Sequence, residues 1–222
     1  MKIIFFGDSA TDANRQRGSA EAGRIAEEFS DHPRAYGSGY VALTAAQLFY
    51  EKPNYYQILN RGIGGDRLPQ LYARIQLDVW NENPDVLNIL VGGNDLPREK
   101  NPNPTDFERW ARLYRLMLQE TQEKCPNTKI ILCEPFAWTK RPNADGTTAE
   151  LVRKYAAEAK KIAEEFGLPF VALQEKMDEA AEIYDGKDCY YDGVHTNLVG
   201  SMVMSKEWMK VFKEQVLPQF AK

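Results

Sequence analysis

At 222 residues the chain can bury roughly 70% of the surface its unfolded form exposes, which suits one domain spanning 1–222. Hydrophobic residues at 43% and charged residues at 27% give the profile of a soluble globular protein, not of a disordered or fibrous one. A formal charge of −4 excludes the strongly basic surface that nucleic acid or an anionic membrane would select.

The chain opens on "MKIIFFGDSATD". Lys2–Phe6 is an apolar run stopped by Gly7-Asp8, as a buried strand would be, and it is too short for the core of a signal peptide. Ser9 stands at that strand end, ahead of a turn, where it either faces a cleft or caps a helix. A polar loop, 10–39, leads to a helical pattern over Tyr40–Tyr50. A second strand, Tyr56–Leu59, ends in Asn60-Arg61-Gly62-Ile63-Gly64-Gly65-Asp66, a turn whose glycines expose backbone N–H groups. Leu68–Trp80 follows as a helix with Leu68, Leu71, Ile75 and Val79 on one face.

Val86–Val91 is the third strand and ends in Gly92-Gly93-Asn94-Asp95, which offers an amide side chain. Beyond the loop 96–104, Thr105 and Glu108 read as a capping box for a helix over Thr105–Lys124. Lys129–Cys133 is the fourth strand, followed by the loop 136–146 and a helix over Thr147–Phe166 that stops at Gly167. Pro169–Leu173 closes the strand series, and Leu198–Val216 forms a last helix halted before Pro218. Trp208, Val211, Phe212 and Val216 of that helix are expected in the core, with a homo-oligomer interface as the alternative.

Five strands alternating with helices imply an α/β fold with a parallel sheet covered on both faces. In such sheets ligands sit beyond the carboxyl ends of the strands, so the strand-end loops are where chemistry is expected. No apolar stretch approaches the ~18 residues of a membrane span. The three cysteines, Cys125, Cys133 and Cys189, have no CxxC spacing, which excludes a recognisable zinc site and fits free thiols in the cytoplasm. No metal or other cofactor is called for.

Serine needs a base to become a nucleophile, and His is the usual one. The chain has two histidines. His32 lies in the polar "SDHPRA" before Pro33, with nothing to fix its orientation. His195 follows Asp192 by three positions in "YYDGVHTN", a spacing that lets the carboxylate meet the imidazole within one turn. Asp-x-x-His alone is common and decides nothing. Asp8, Asp12, Arg61, Asp66 and Asp95 flank these segments and are expected to cap or pair within the turns.

"FFGDSATD", the glycine turn, "VGGNDL" and "DGVH" together resemble the four sequence blocks of the SGNH (GDSL-type) hydrolases, in family order and over nearly the whole chain. The resemblance implies a three-layer α/β/α sandwich of flavodoxin-like type with a five-stranded sheet. It implies Ser9 as nucleophile, His195 as base and Asp192 as its orienting acid. It implies oxyanion donors from the Ser9 and Gly65 backbone N–H groups and the Asn94 side chain, with Gly64 the nearest competitor to Gly65. The absence of Gly-x-Ser-x-Gly sets the chain apart from the α/β-hydrolases. "RAYGSGYVALT" and "WTKRPNADG" look most like the acetylxylan esterase branch, whose members deacetylate sugars.

The expected activity is therefore hydrolysis of a small-molecule ester with a short acyl group, as in acetylated xylo-oligosaccharides. The polar strand-end loops present no apolar lid for a long chain. Trp138, Tyr190 and Tyr191 lie on candidate cleft loops and could stack on sugar rings or pack the loops. A lysophospholipase or thioesterase is the enzymatic alternative. From another class, a flavodoxin-like binding module would hold phosphate with Ser9 and Thr11 and would not need His195.

Overall fold

A computed structural model describes residues 1–16, 32–98, 101–137, 149–184 and 189–221. The apolar N-terminal run forms β1 (Lys2–Gly7), paired with β2 (Gln57–Gly62) on one side and β3 (Val86–Leu90) on the other. Beyond β3 lie β4 (Lys129–Cys133) and β5 (Phe170–Val171), so the all-parallel order is β2-β1-β3-β4-β5.

Successive side chains of a strand point to opposite faces, and β1 uses both. Ile3 and Phe5 join a core built with α2 (Tyr40–Glu51), α6 (Gln174–Ile183) and α7 (Leu198–Val211). Ile4 and Phe6 join the opposite core, built with α3 (Leu68–Ile75), α4 (Phe107–Lys124) and α5 (Ala149–Glu165). The result is the expected three-layer α/β/α sandwich. Burial on both faces is why these strands read as continuous apolar runs. No described helix is long and apolar enough to cross a membrane.

The chain leaves β1 for β2 on one side and later fills β3 on the other, so the connections diverge at the carboxyl ends of β1 and β3. That divergence opens the crevice in which doubly wound sheets bind ligands. A short helix, α1 (Ser9–Asp12), occupies its floor. Two buried asparagines hold α1 in place. Asn60 of β2 donates to the Thr11 carbonyl (2.7 Å) and the Tyr36 carbonyl (3.0 Å) and accepts from Gly62 N–H (2.9 Å). Asn88 of β3 donates to the Tyr40 hydroxyl (3.1 Å), which is 3.2 Å from the Thr11 hydroxyl. Its carbonyl oxygen accepts from Trp208 Nε1 (2.9 Å) and Cys133 Sγ (3.0 Å). Gly62 lets α1 lie against the sheet, since a β-carbon there would sit 2.2 Å from the Asp12 nitrogen.

Several boundaries differ from expectation. β2 runs on through Asn60 and Gly62 because the asparagine's polar groups are satisfied inside. β5 is shorter than Pro169–Leu173 because Glu134 accepts from the Leu173 (2.7 Å) and Gln174 (2.8 Å) amides and turns the chain into α6. α6 has no counterpart among the elements expected from periodicity. α4 begins at Phe107 and is capped by Asp106, which accepts from Arg109 N–H (3.0 Å). Thr105 is therefore no cap, and its carbonyl accepts from the Tyr155 hydroxyl (3.0 Å). α3 and α7 each continue into a π turn, Gln76–Trp80 and Phe212–Val216. Pro218 does not stop the chain's helical path but sits in a 3-10 turn, Leu217–Phe220, at a first-turn position that needs no N–H. α5 begins at Ala149; Thr147 and Thr148 lie outside the described residues. Trp208, Phe212 and Val216 are buried in the core.

Asn88→Ala strips partners from the buried Trp208 N–H and Tyr40 hydroxyl, and should destabilise the protein by about 3 kcal/mol. Urea denaturation checks this; an unchanged midpoint would mean that the network does not hold the fold.

Candidate active site

Ser9 follows β1 directly and opens α1. Asp8 caps that turn, its Oδ1 accepting from Ala10 N–H at 3.0 Å. Asp8 is 6% exposed, and burial pushes its carboxyl up to about 7. The Ala10 amide opposes that rise, the nearby Asp95 charge adds to it, and His195 and Arg98 pull weakly downward. Asp95 is likewise pushed up to about 6 by burial, against the pull of the Thr105 hydroxyl and of Leu68 N–H.

The second half of the site comes from the loop before α7. An antiparallel bridge between Tyr190 and Thr196 closes it, reinforced by Tyr191 N–H to the His195 carbonyl and Asn197 N–H to the Cys189 carbonyl, each 3.1 Å. Asn197 then caps α7 by accepting from Val199 N–H (3.0 Å). Inside this loop Asp192 Oδ1 accepts from the amides of Val194 (3.0 Å) and His195 (2.8 Å), while Oδ2 lies 2.6 Å from His195 Nδ1. Burial raises the Asp192 carboxyl's pKa, but these hydrogen bonds outweigh it and hold the group below the usual carboxylate range. The far side of the imidazole, Nε2, is 2.8 Å from Ser9 Oγ. The two side chains of the acid–imidazole pair stay partly open to solvent, at 43% for Asp192 and 33% for His195.

Candidate donors converge from β2 and β3. Gly65 adopts φ +86, a left-handed conformation that suits glycine, and its N–H has no partner among the described residues. Gly64 N–H is taken by Asp12 Oδ2 at 2.9 Å. The Asn94 amide spends one N–H on the Asp66 carbonyl (3.0 Å), which fixes its plane. Arg74 braces the same turn from below, bonding Asp66 (2.7 Å) and the carbonyls of Arg61 (2.8 Å) and Gly7 (3.1 Å). Asp95 accepts from Leu68 N–H at the start of α3 (3.1 Å), and Arg61 pairs with Glu82 (2.9 Å). The flanking charges thus cap and pair, as expected.

Other expected site residues fare differently. Tyr190 is 1% exposed and packs near Phe136 at 6.3 Å between ring centroids, so it cannot stack on a sugar. Tyr191 is 66% exposed and lies stacked on His195 at 5.6 Å. Trp138 lies outside the described residues. The Thr11 hydroxyl is buried against Tyr40, which removes it from any phosphate. Cys125, Cys133 and Cys189 are buried thiols. His32 caps a separate turn by accepting from Arg34 N–H (3.2 Å). No set of three metal-ligating side chains occurs among the described residues.

Two hollows adjoin these groups, one at the serine and one at the candidate donors. A recess of about 30 Å³ is lined by Ser9, Leu90, Asn94, Pro135, Phe136 and Val194. A wider cleft of about 360 Å³ begins at Gly65 and Asn94 and runs past Arg67 and Arg98. No single stretch signals the second, whose residues come from the turn after β2, from α3 and from the loop after β3. A hydroxyl, an imidazole and a carboxylate in line, with N–H donors beside them, suit acyl transfer.

Comparison with known proteins agrees in kind. The model of the GDSL-like Lipase/Acylhydrolase family matches residues 5–202. An acetylxylan esterase of Geobacillus stearothermophilus is 28% identical over 216 residues, covering 94% of this chain and 92% of the relative. A GDSL-like protein of Parabacteroides merdae superposes with a TM-score of 0.85 at 33% identity, covering 96% and 95% of the two chains. A catalytic mutant of Axe2, an acetylxylan esterase from G. stearothermophilus, superposes with a TM-score of 0.79 at 27% identity, covering 95% and 93%.

The Asp8 carboxyl yields a prediction. Folded, it keeps its proton to about pH 7; in the unfolded chain it would release it near 3.8. The folded form binds more protons between those values, so the Asp8 contribution to stability is lost as pH rises from about 4 to about 7. Asp8→Asn keeps an oxygen for Ala10 N–H and removes that loss. Its melting temperature relative to the parent should therefore climb across this window. A flat difference in thermal melts would mean that Asp8 is ionised throughout.

Proposed function

Because the chain belongs to the GDSL-like Lipase/Acylhydrolase family and is a carboxylic ester hydrolase, we propose that it removes acetyl groups from a saccharide through a Ser9-His195-Asp192 acyl-enzyme mechanism. The relay Asp192–His195–Ser9, at 2.6 and 2.8 Å, is the observation that carries this reading.

His195 Nε2 takes the Ser9 proton as Oγ attacks the ester carbonyl. Asp192, held below its usual carboxylate range, stays ionised, keeps the proton on Nδ1 and stabilises the imidazolium. The tetrahedral oxyanion is met by the N–H groups of Ser9 and Gly65 and the second side-chain N–H of Asn94. Gly65 is preferred over Gly64 because the Gly64 amide is already bonded to Asp12. Imidazolium protonates the departing alcohol, and water, activated by the same base, frees the acyl group.

Size supports a short acyl group. The recess beside Ser9, about 30 Å³, has room for about two water-sized groups, which an acetyl fills. Its walls include the buried side chains of Leu90 and Phe136. A thioesterase or lysophospholipase acting on long acyl chains would need more. The similarity to acetylxylan esterase supports a sugar acetate as substrate, and the three buried thiols favour a reducing cytoplasm supplied with imported oligosaccharides.

On p-nitrophenyl esters, acetate should exceed butyrate at least tenfold in kcat/KM, with acetate also released from acetylated xylo-oligosaccharides. Rates that hold level or rise with chain length would rule out the short-acyl reading. Asn94→Ala should lower kcat by about 10²–10³ while the fold, followed by circular dichroism, is unchanged. A fully active variant would remove Asn94 from the oxyanion site.

A further inference from the structure

The cleft that begins at Gly65 and Asn94 has a composition at odds with a protein of net charge −4. Its outer walls carry Arg67, Gln70, Arg98, Asn101 and Asn103, and no carboxylate lines it among the described residues. Its volume, about 360 Å³, is that of a small-molecule site. The two guanidinium groups offer N–H donors alone, and the amides add more.

Arg67 differs from the arginines that are held in ion pairs. Arg61 pairs with Glu82, Arg74 with Asp66 and Asp78, and Arg115 with Glu158 and Glu165. Arg67 has no carboxylate at ion-pair distance among the described residues. Its Nε donates to Gln70 Oε1 (3.2 Å) and its Nη1 to the Asn103 carbonyl, both neutral acceptors. Those bonds fix the guanidinium plane without cancelling its charge. Asn101 in turn holds the opposite wall, donating to the carbonyls of Asn94 and Leu96 at 2.9 Å each. The carboxyls behind the walls feel these charges, Asp95 that of Arg67 and Asp8 that of Arg98, but accept hydrogen bonds from backbone: Asp95 from Leu68 N–H (3.1 Å) and Asp8 from Ala10 N–H (3.0 Å).

We propose that this cleft is a subsite for the alcohol half of the ester and selects an alcohol that carries a carboxylate, as an acidic sugar does. The inference rests on the esterase reading above: with the acyl group in the recess against Phe136 and Val194, the alcohol is left the wide cleft beyond the oxyanion donors. A carboxylate is the anion a planar guanidinium matches best, through paired N–H bonds. Arg67 is the specificity-determining residue, and Arg98 supports it by its charge.

Two aryl acetates that differ in one group test this, 4-acetoxybenzoate and its neutral isostere 4-acetoxybenzamide. With each kcat/KM divided by the rate of uncatalysed hydrolysis, the benzoate should be preferred about tenfold at low salt. The preference should shrink several-fold at about 0.5 M salt, where a half-exposed charge pair is screened. Arg67→Gln should bring the ratio close to one, and Arg67→Lys should restore part of it. The products give a readout that needs no variant, since 4-hydroxybenzoate should inhibit p-nitrophenyl acetate hydrolysis more tightly than 4-hydroxybenzamide. Equal turnover of the two esters, or a preference unmoved in Arg67→Gln, overturns the subsite and leaves the esterase standing. Hydrolysis of neither ester overturns the esterase reading and the subsite with it.

Discussion

A hydrogen bond of 2.8 Å joins two residues 186 positions apart, His195 and Ser9, and the arrangement of the site depends on it. Neither partner reaches the other through local structure. Ser9 is delivered by the central strand β1, and His195 by a bridged loop leading into α7. The parallel sheet makes the meeting possible because β1 and β3 end at the same edge, with later loops arriving above it. The two layers of helices bury β1 on both faces and hold its end still. Closing so long a loop carries an entropy cost that this hydrogen bond cannot offset; the cores do that.

The polar groups beneath the site do a different job from the apolar ones. Asn60 and Asn88 are buried within their strands, and both reach α1, Asn60 directly and Asn88 through Tyr40. A fully satisfied buried network of this kind specifies one arrangement where apolar packing would tolerate several. Arg74 and Asn94 do the same for the Gly65-Asp66 turn. The two sides of the crevice are thus pinned independently, and the recess between them keeps its small size. In the proposed reaction, that rigidity lets fixed N–H groups meet developing charge without rearranging.

Much of this was legible in the residues, for physical reasons that can be named. Strands buried on both faces write themselves as apolar runs, so β1, β3 and β4 were readable to within a residue or two. The segments around Ser9, Asn94 and His195 stood out because Gly, Asn and Asp cluster in the turns that carry them. What escaped notice was set by competition between neighbours. Asp106 outcompetes Thr105 as a cap because its carboxylate reaches Arg109 N–H. α6 hides its narrow face of Met177, Ala180 and Ala181 among acidic residues. Tyr190 is as aromatic as Tyr191, yet alternation across the loop turns one inward and the other out. The Arg67 cleft draws its residues from two loops and from α3, so no single stretch announces it.

The claim beneath all of this is that His195 makes Ser9 a nucleophile. Timed labelling with a fluorophosphonate, located by peptide mass spectrometry, measures that directly. The account predicts a single adduct on Ser9, forming at least a hundredfold more slowly in His195→Ala. An adduct on another residue, or one on Ser9 that forms as fast without the imidazole, would contradict it.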